Sequence, residues 1–228
     1  VDGISSYPVM KSNHSFDLLS CFPASAEPGK AFTSVTYSNL YFREPESRAD
    51  QTRMMSIVTT GAETGYYVDV FRSRKEKGGD KMHDYFYHNL GQTLTLTAAD
   101  GSDLNLQPTE ELAFAGAHLY AYSYLYDKKV AATNKDVKAT FTIDMKDKDG
   151  DDIYMNLWMK GEPDREVFTA LAPMTEGLSR TPNMPYNIKE QPTLTFVARQ
   201  HGEAWNRPFV SIYEPSTKKE PSAIQSVS

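Results

Sequence analysis

Residues 83–88 contain two histidines, an aspartate and two tyrosines, which are side chains suited to moving protons. Histidine changes its charge near neutral pH, and tyrosine can act as a general acid or base. Side chains alternate along a strand, so His83 and Tyr85 would share one face of a sheet while His88 would lie on the other. That spacing argues against one metal ion bound by both histidines. We predict His83, Tyr85 and His88 as catalytic candidates; the alternative is that the histidines are hydrogen-bonded within or beside a sheet.

Arginines and large aromatic side chains elsewhere are candidates for ligand binding. Arg199 and Arg207 could each pair with a carboxylate or sulfate, although most surface arginines are simply solvated. Trp205 lies in a polar loop and is a candidate sugar contact. Tyrosines at 120, 122, 124 and 126 would share one face of a strand, and we name Tyr122 as a candidate for stacking on a sugar. The alternative for these tyrosines is a sandwich core or rim with hydroxyls in water.

The acidic segment 147–152 is the main candidate for a cation site. An EF-hand loop needs glycine at its sixth position and glutamate at its twelfth. Counted from Asp147, Gly150 is fourth and Trp158 is twelfth, so the segment is more typical of a turn with solvated carboxylates. The sequence contains no glycine-rich phosphate loop, zinc-ligand spacing or serine nucleophile elbow. We expect neither a metal nor a cofactor.

The composition is that of an ordinary globular protein, with 39% hydrophobic and 24% charged residues. A net charge of −6 argues against a nucleic-acid partner, and no apolar run is long enough to span a membrane. A single cysteine, Cys21, excludes an intramolecular disulfide. Because the first residue is Val1 rather than methionine, we expect a processed protein or a piece of a longer one.

The pattern of strands and turns predicts the fold class. Residues 66–72 and 83–88 are rich in β-forming residues and flank a charged turn with Gly78-Gly79, which predicts a hairpin. Further alternating segments follow at 93–97, 139–145, 153–159 and 166–172. A helix is suggested only near 108–116, where Thr109 could begin it, and no βαβ rhythm appears. We predict a large antiparallel β-sandwich, with residues 1–228 as a single domain.

Two segments match a known family in pattern and order. The first is YYVDVFRSRKEKGGDKMHDYFYH, from Tyr66 to His88. The second runs from Pro192 through RQHG at 199–202 and RPFV at 207–210 to Tyr213-Glu214-Pro215. Over about residues 35–215 the chain resembles the β-sandwich of the heparinase II/III-like polysaccharide lyases and related alginate lyases.

The resemblance implies a domain of a larger enzyme. In that family an α/α toroid domain precedes the sandwich, and it is missing from this chain. The resemblance also implies an acidic polysaccharide as partner, and proton abstraction at C5 of a uronic acid with elimination of the C4-linked oxygen by the complete enzyme. It further implies periplasmic or secreted location in a bacterium, and inactivity of the chain alone. The family's metal-binding histidines and aspartate have no matching pattern in the first 35 residues.

Two other classes of function stay open. One is a stand-alone carbohydrate-binding protein. The other is a structural or interaction sandwich that packs against a partner domain and never touches sugar. The second class predicts an extended apolar patch on one face.

Overall fold

The computed structural model describes residues 1–4, 15–24, 34–113, 121–145, 150–175, 188 and 190–227. These residues form thirteen strands and a short 3₁₀ helix, Ala121–Tyr124. The strands are β1 (Asp17–Phe22), β2 (Val35–Glu44), β3 (Ala49–Thr59), β4 (Gly65–Lys75), β5 (Met82–Asn89), β6 (Thr93–Ala98), β7 (Gln107–Pro108), β8 (Tyr126–Ala132), β9 (Val137–Ile143), β10 (Ile153–Met159), β11 (Arg165–Ala172), β12 (Thr193–His201) and β13 (Ala204–Thr217).

The strands pair into two antiparallel sheets, which confirms the predicted β-sandwich. The large sheet has eight strands in the order β1-β2-β3-β4-β13-β10-β9-β6. The small sheet has five, in the order β5-β12-β11-β8-β7. The longest strand, β13, lies inside the large sheet between β4 and β10. Both sheets therefore depend on pairings between segments that are distant in the sequence.

The core between the sheets is built from alternate positions of the facing strands, as the period-two patterns predict. Phe141, Leu157 and Phe209 project from the large sheet, and Phe196 projects from the small sheet. All four side chains are at most 1% exposed. Burying a phenylalanine or leucine of this kind stabilises a fold by about 1.5–3 kcal/mol.

A second apolar cluster covers the other face of the small sheet. Phe168 of β11 and Val197 of β12 pack there against Leu112, Tyr122 and Leu125. The segment that precedes β8 therefore forms an outer layer over the small sheet. For this reason β12 is buried on both faces over most of its length.

The predicted hairpin between residues 66 and 88 is wrong, although both of its strands exist. β4 pairs with β3 and β13 in the large sheet, whereas β5 pairs with β12 in the small sheet. The connecting turn contains Gly78 and Gly79 at φ of +66° and +73°, a region that favours glycine. The chain crosses here from one sheet to the other. β4 and β5 face each other through side chains such as Ser73 and His83 rather than through backbone hydrogen bonds.

The prediction that one strand carries the tyrosines at 120, 122, 124 and 126 is also wrong for the described residues, 121–126. Tyr122 and Tyr124 belong to the 3₁₀ helix, and only Tyr126 is in a strand. Tyr122 is 3% exposed while Tyr124 is 59% exposed, so the two rings do not share a face. Tyr120 lies outside the described residues. A 3₁₀ turn rotates successive side chains by about a third of a circle, which breaks a period-two stripe.

The helix suggested at 109–112 does not form. The Thr109 hydroxyl accepts a hydrogen bond from the backbone N–H of Glu111, which is a local turn. The backbone N–H of Thr109 donates to the carbonyl of Lys128, next to the pairing of β7 with β8. Residues 114–116 of the suggested helix lie outside the described residues, as do Asp147 and Asp149 of the acidic segment.

The large sheet extends beyond the small sheet on one side. β5, the edge of the small sheet among the described strands, lies over β4 and β13, because Tyr85 contacts Asp69 of β4 and Ser211 of β13. We call the inward-facing surface of β1–β3 and of the first half of β4 the overhang. Met55 and Ile57 on this surface are 47% and 49% exposed, and Tyr67 is 40% exposed.

Candidate functional site

His83 lies in a buried chain of hydrogen bonds that links the two sheets. Its Nε2 lies 2.8 Å from Oδ1 of Asp80, and its Nδ1 lies 2.9 Å from Oγ of Ser73. An ionised carboxylate can only accept, so Nε2 carries the proton and Nδ1 accepts from the serine hydroxyl. Burial lowers the pKa of His83 more than the nearby Asp80 raises it, and the ring is neutral at neutral pH.

Ser73, His83 and Asp80 are linked by hydrogen bonds in the order of a hydrolase catalytic triad. Unlike the side chains of such a triad, they are not accessible to a substrate. Ser73 is completely buried and His83 is 1% exposed, so neither reaches a substrate in this conformation. Asp80 also accepts a hydrogen bond from the backbone N–H of Lys75, across the crossover turn. The contacts of His83 therefore hold β4, the turn and β5 together.

Tyr85 belongs to a second polar cluster between the sheets. Its hydroxyl donates to Oδ2 of Asp69 at 2.6 Å and is hydrogen-bonded to the hydroxyl of Tyr213. Ser211 completes the cluster, 3.3 Å from both hydroxyls. Burial, followed by the influence of Tyr213 and Asp69, raises the pKa of Tyr85 well above its ordinary value. The Tyr85 hydroxyl therefore stays protonated at neutral pH and serves as a hydrogen-bond donor to Asp69.

Arg53 connects this cluster to solvent. Its Nε lies 3.0 Å from Oδ1 of Asp69, and its Nη2 lies 2.6 Å from Oδ2. Burial alone would lower the pKa of Arg53, but the hydrogen bonds and charge of Asp69 raise it, so the guanidinium stays charged. The Arg53 side chain is 47% exposed, whereas that of Asp69 is 1% exposed. The pair thus presents a fixed cation at the surface, anchored on a buried carboxylate.

Sequence reasoning did not select Arg53 as a candidate, and it missed both Asp69 and Tyr213. One signal was available: Asp69 sits in the middle of the aromatic and β-branched strand Tyr66–Arg72. An acidic residue at an inward position of such a strand needs a buried partner. Its partners come from β3, β5 and β13, and the sequence alone does not bring those strands together.

His88 lies away from His83 and Tyr85, on the opposite face of β5, as the predicted alternation requires. Its Nδ1 is 2.8 Å from Oγ1 of Thr195, and its ring lies 6.1 Å from the ring of Phe86. Desolvation lowers the pKa of His88. The three residues predicted as catalytic are therefore not assembled around one point.

Arg199 and Tyr122 meet in a buried ion-pair cluster under the outer layer. Arg199 donates from Nε and Nη2 to the two carboxylate oxygens of Asp84 at 2.7 and 2.9 Å, and from Nη1 to Glu111 at 2.8 Å. The Tyr122 hydroxyl donates to Asp84 at 2.7 Å. The Arg199 and Asp84 side chains are 6% and 2% exposed. These contacts occupy the groups with which Arg199 and Tyr122 were predicted to bind a ligand.

Trp205 and Arg207 lie at a third place, within the first residues of β13, so the prediction that Trp205 lies in a loop is wrong. The guanidinium of Arg74 lies 4.2 Å from the centre of the Trp205 ring, and Arg72 donates to the Trp205 carbonyl. Arg207 donates to the carbonyl of His201 at 2.9 Å. Neither predicted ligand contact borders the Arg53 cluster.

A shallow groove of about 390 Å³ runs along the overhang. It is lined by Thr36, Tyr37, Ser38, Met55, Ser56, Ile57 and Tyr67. None of these residues is acidic. Arg53 does not line the groove itself, but it precedes the lining residue Met55 by two positions and faces the same side of β3, so it lies next to the groove.

The described residues contain neither a metal centre nor a membrane-spanning helix. No grouping of three or more histidine, cysteine, aspartate or glutamate side chains there is placed to bind a metal ion. Within the same residues, no helix combines the length and the apolar character needed to cross a membrane.

The fold and its polar clusters define an antiparallel β-sandwich with an uncovered extension of one sheet. Comparison with known proteins finds a relative: the chain is 33% identical over 195 residues to an endo-acting ulvan lyase of Formosa agariphila. The similarity covers 84% of this chain but only 22% of the lyase. The chain therefore corresponds to one segment of a much larger polysaccharide lyase. No protein-family model matches the chain.

Proposed function

We propose that this chain is a β-sandwich domain of a polysaccharide lyase that cleaves an acidic polysaccharide, with ulvan as the first substrate to test. The observation that carries the proposal is the 33% identity to an endo-acting ulvan lyase across 84% of the chain. Similarity of that extent involves most strands of both sheets rather than one local motif. The proposal treats residues 1–228 as one domain of the complete enzyme.

The reaction we propose for the complete enzyme is β-elimination at a uronic acid. A base removes the proton from C5, its electron pair forms the C4–C5 double bond, and the C4–O bond breaks. The leaving oxygen takes a proton from an acid. A fixed cation beside the uronate carboxylate would stabilise the charge that develops when C5 loses its proton.

The catalytic roles of His83, Tyr85 and His88 stay predictions. Tyr85 and His83 are 4% and 1% exposed, so their direct action would need the sheets to open. We therefore assign the base to another part of the complete enzyme. The relative is consistent with this, since most of its length lies outside the similar segment.

Three finer parts of the proposal rest on the sequence resemblance. They are membership of the heparinase II/III-like group, a preceding α/α toroid domain, and export to the periplasm or the outside of a bacterial cell. The edge strand β1 supports a partner domain, because its side chains Leu18 and Leu19 are more than half exposed. It does not favour a toroid over another partner.

The test compares the protein encoded by the complete gene with the 228-residue chain, each incubated with ulvan. The unsaturated uronate product absorbs ultraviolet light and gives a continuous assay. We expect product from the complete protein and none from the chain. If the complete protein forms no unsaturated product from ulvan, heparan sulfate or alginate, the lyase proposal is wrong. Product formed by the chain alone would contradict its assignment as an inactive domain.

A stand-alone carbohydrate-binding protein is the second candidate, and the groove on the overhang favours it. The groove combines aromatic rings, apolar side chains and hydroxyls, including those of Thr36 and Ser38, which suit the faces and hydroxyls of sugar rings. This candidate predicts saturable sugar binding by the chain together with inactivity of the complete protein in the lyase assay.

A further inference from the structure

Arg53 is held in one orientation and keeps hydrogen-bonding capacity to spare. Its Nε and Nη2 bind Asp69, and its guanidinium lies 5.8 Å from the centre of the Tyr85 ring. Within the described part of the chain, Nη1 makes no hydrogen bond to a protein atom. A guanidinium fixed in this way loses little rotational freedom when it binds an anion.

The negative charge of Asp69 is neutralised within the protein, so it does not repel an anion that binds Arg53 at the surface. Its Oδ1 accepts from Arg53, and its Oδ2 accepts from both Arg53 and Tyr85. The carboxylate is 1% exposed and lies behind the guanidinium. Asp69 therefore acts as a positioning residue whose charge is already balanced.

The groove beside Arg53 has the shape and chemistry of a sugar-binding surface. Tyr67 presents a ring that is 40% exposed, and Met55 and Ile57 add apolar surface beside it. Thr36 and Ser38 lie across the groove on β2, opposite Ile57 and Met55 in the strand register. The lining brings no negative charge near the cation beside the groove.

We propose that this groove binds an acidic polysaccharide, with Arg53 contacting a carboxylate or sulfate group and Tyr67 stacking on a sugar ring. This inference rests on the proposed function for its choice of ligand. It places the polysaccharide contact on the overhang, at residues different from Arg199, Arg207, Trp205 and Tyr122. Charge complementarity selects an anionic sugar chain as the occupant.

The test measures binding of the 228-residue chain by calorimetric titration at low salt. The probes are oligogalacturonate, which carries carboxylates, carrageenan, which carries sulfates without uronate, and a neutral glucan. We expect binding to one or both anionic probes, and the stronger of the two identifies the group that Arg53 contacts. We expect no binding of the glucan above background. A stronger response to the glucan than to either anionic probe would overturn the proposal.

Four substitutions at three positions locate the binding. Arg53→Gln should raise Kd by about tenfold to a hundredfold, the effect of losing a charged hydrogen bond. Tyr67→Ala should raise Kd by about threefold to tenfold through lost stacking. Ile57→Glu should weaken binding by adding a negative charge to the groove, while Ile57→Lys should strengthen it. The last three variants leave Asp69 and its partners in place, so they stay informative if Arg53→Gln unfolds the protein.

Matched controls separate the groove from general effects. Lys129→Gln removes one positive charge from β8 in the small sheet, and Ile153→Glu makes the same exchange at an isoleucine that is 40% exposed on β10. Both should bind like the wild type. Equal affinity of wild type and all groove variants would move the site elsewhere and leave the lyase proposal intact. A different result would be that the chain binds no sugar and self-associates in a way that Ile57→Glu abolishes. That result would make the groove an interface between two copies of the chain and would refute the inference.

Discussion

Substituting Arg199 by methionine should strongly destabilise the fold rather than weaken ligand binding. The side chains have similar length, but methionine leaves the Asp84 carboxylate, 2% exposed, with Tyr122 as its one side-chain hydrogen-bond partner among the described residues. Removing one partner of a buried ion pair costs about 3–5 kcal/mol. The lost contact with Glu111 adds little, because that carboxylate is 49% exposed. We therefore expect the free energy of unfolding to fall by about 3–5 kcal/mol.

Urea unfolding followed by tryptophan fluorescence measures this change. Arg207→Met is the matched control; its carboxylate partner Asp164 is 72% exposed, so we expect a loss of at most about 1 kcal/mol. Adding Asp84→Asn to Arg199→Met should recover part of the lost stability, because an amide is less costly to bury than an unpaired carboxylate.

The reasoning about Arg199 has a clear refutation. A stability within about 1 kcal/mol of the wild type, together with weaker binding of an acidic polysaccharide, would show that Arg199 contacts ligand, as the sequence suggested. Simply additive effects of Asp84→Asn and Arg199→Met on the free energy of unfolding would also contradict the buried ion pair as the source of the lost stability. Residues that share a buried pair are expected to couple instead.

Two further predictions concern pH and backbone conformation. Because burial lowers the pKa of His83, the unfolded chain takes up its proton at a higher pH than the folded chain. The free energy of unfolding should fall as pH drops below about 6.5, and less steeply in His83→Gln than in His201→Gln; equal slopes would contradict this. Gly91→Ala should cost more stability in urea unfolding than Gly101→Ala, since a Cβ at Gly91 would lie 2.6 Å from the Thr142 carbonyl oxygen while one at Gly101 meets nothing within 4 Å. A larger loss for Gly101→Ala would refute that argument.

The strands were predictable because each carries its own pattern, but their partners were not. The segments around Phe141 and Leu157 alternate clearly and became β9 and β10. A hairpin and a crossover between sheets would both require two strands and a glycine-containing turn in residues 66–88. The local sequence pattern therefore cannot distinguish a hairpin from a crossover. The inward polar residues Asp69 and Ser73 were the available hint, since they need partners on a facing sheet.

The candidate site was less predictable than the fold for a related reason. Histidine, tyrosine and arginine are singled out by residue type, yet burial and partners decide what they can do. Arg199 is enclosed by Asp84, while Arg53 has a solvent-facing edge because its strand lies beyond the small sheet. That difference depends on the unequal widths of the two sheets, which no segment encodes by itself.

The position of β13 has a consequence for folding during synthesis. β4 and β5 belong to the first half of the chain, but their partners β13 and β12 are among the last strands to leave the ribosome. Until residues 193–217 emerge, β1–β4 can form only a single-layered meander with no second sheet to cover it. A nascent chain stalled before residue 193 would expose both strand edges and apolar faces, so a chaperone would find its binding surface there and lose it once β13 inserts.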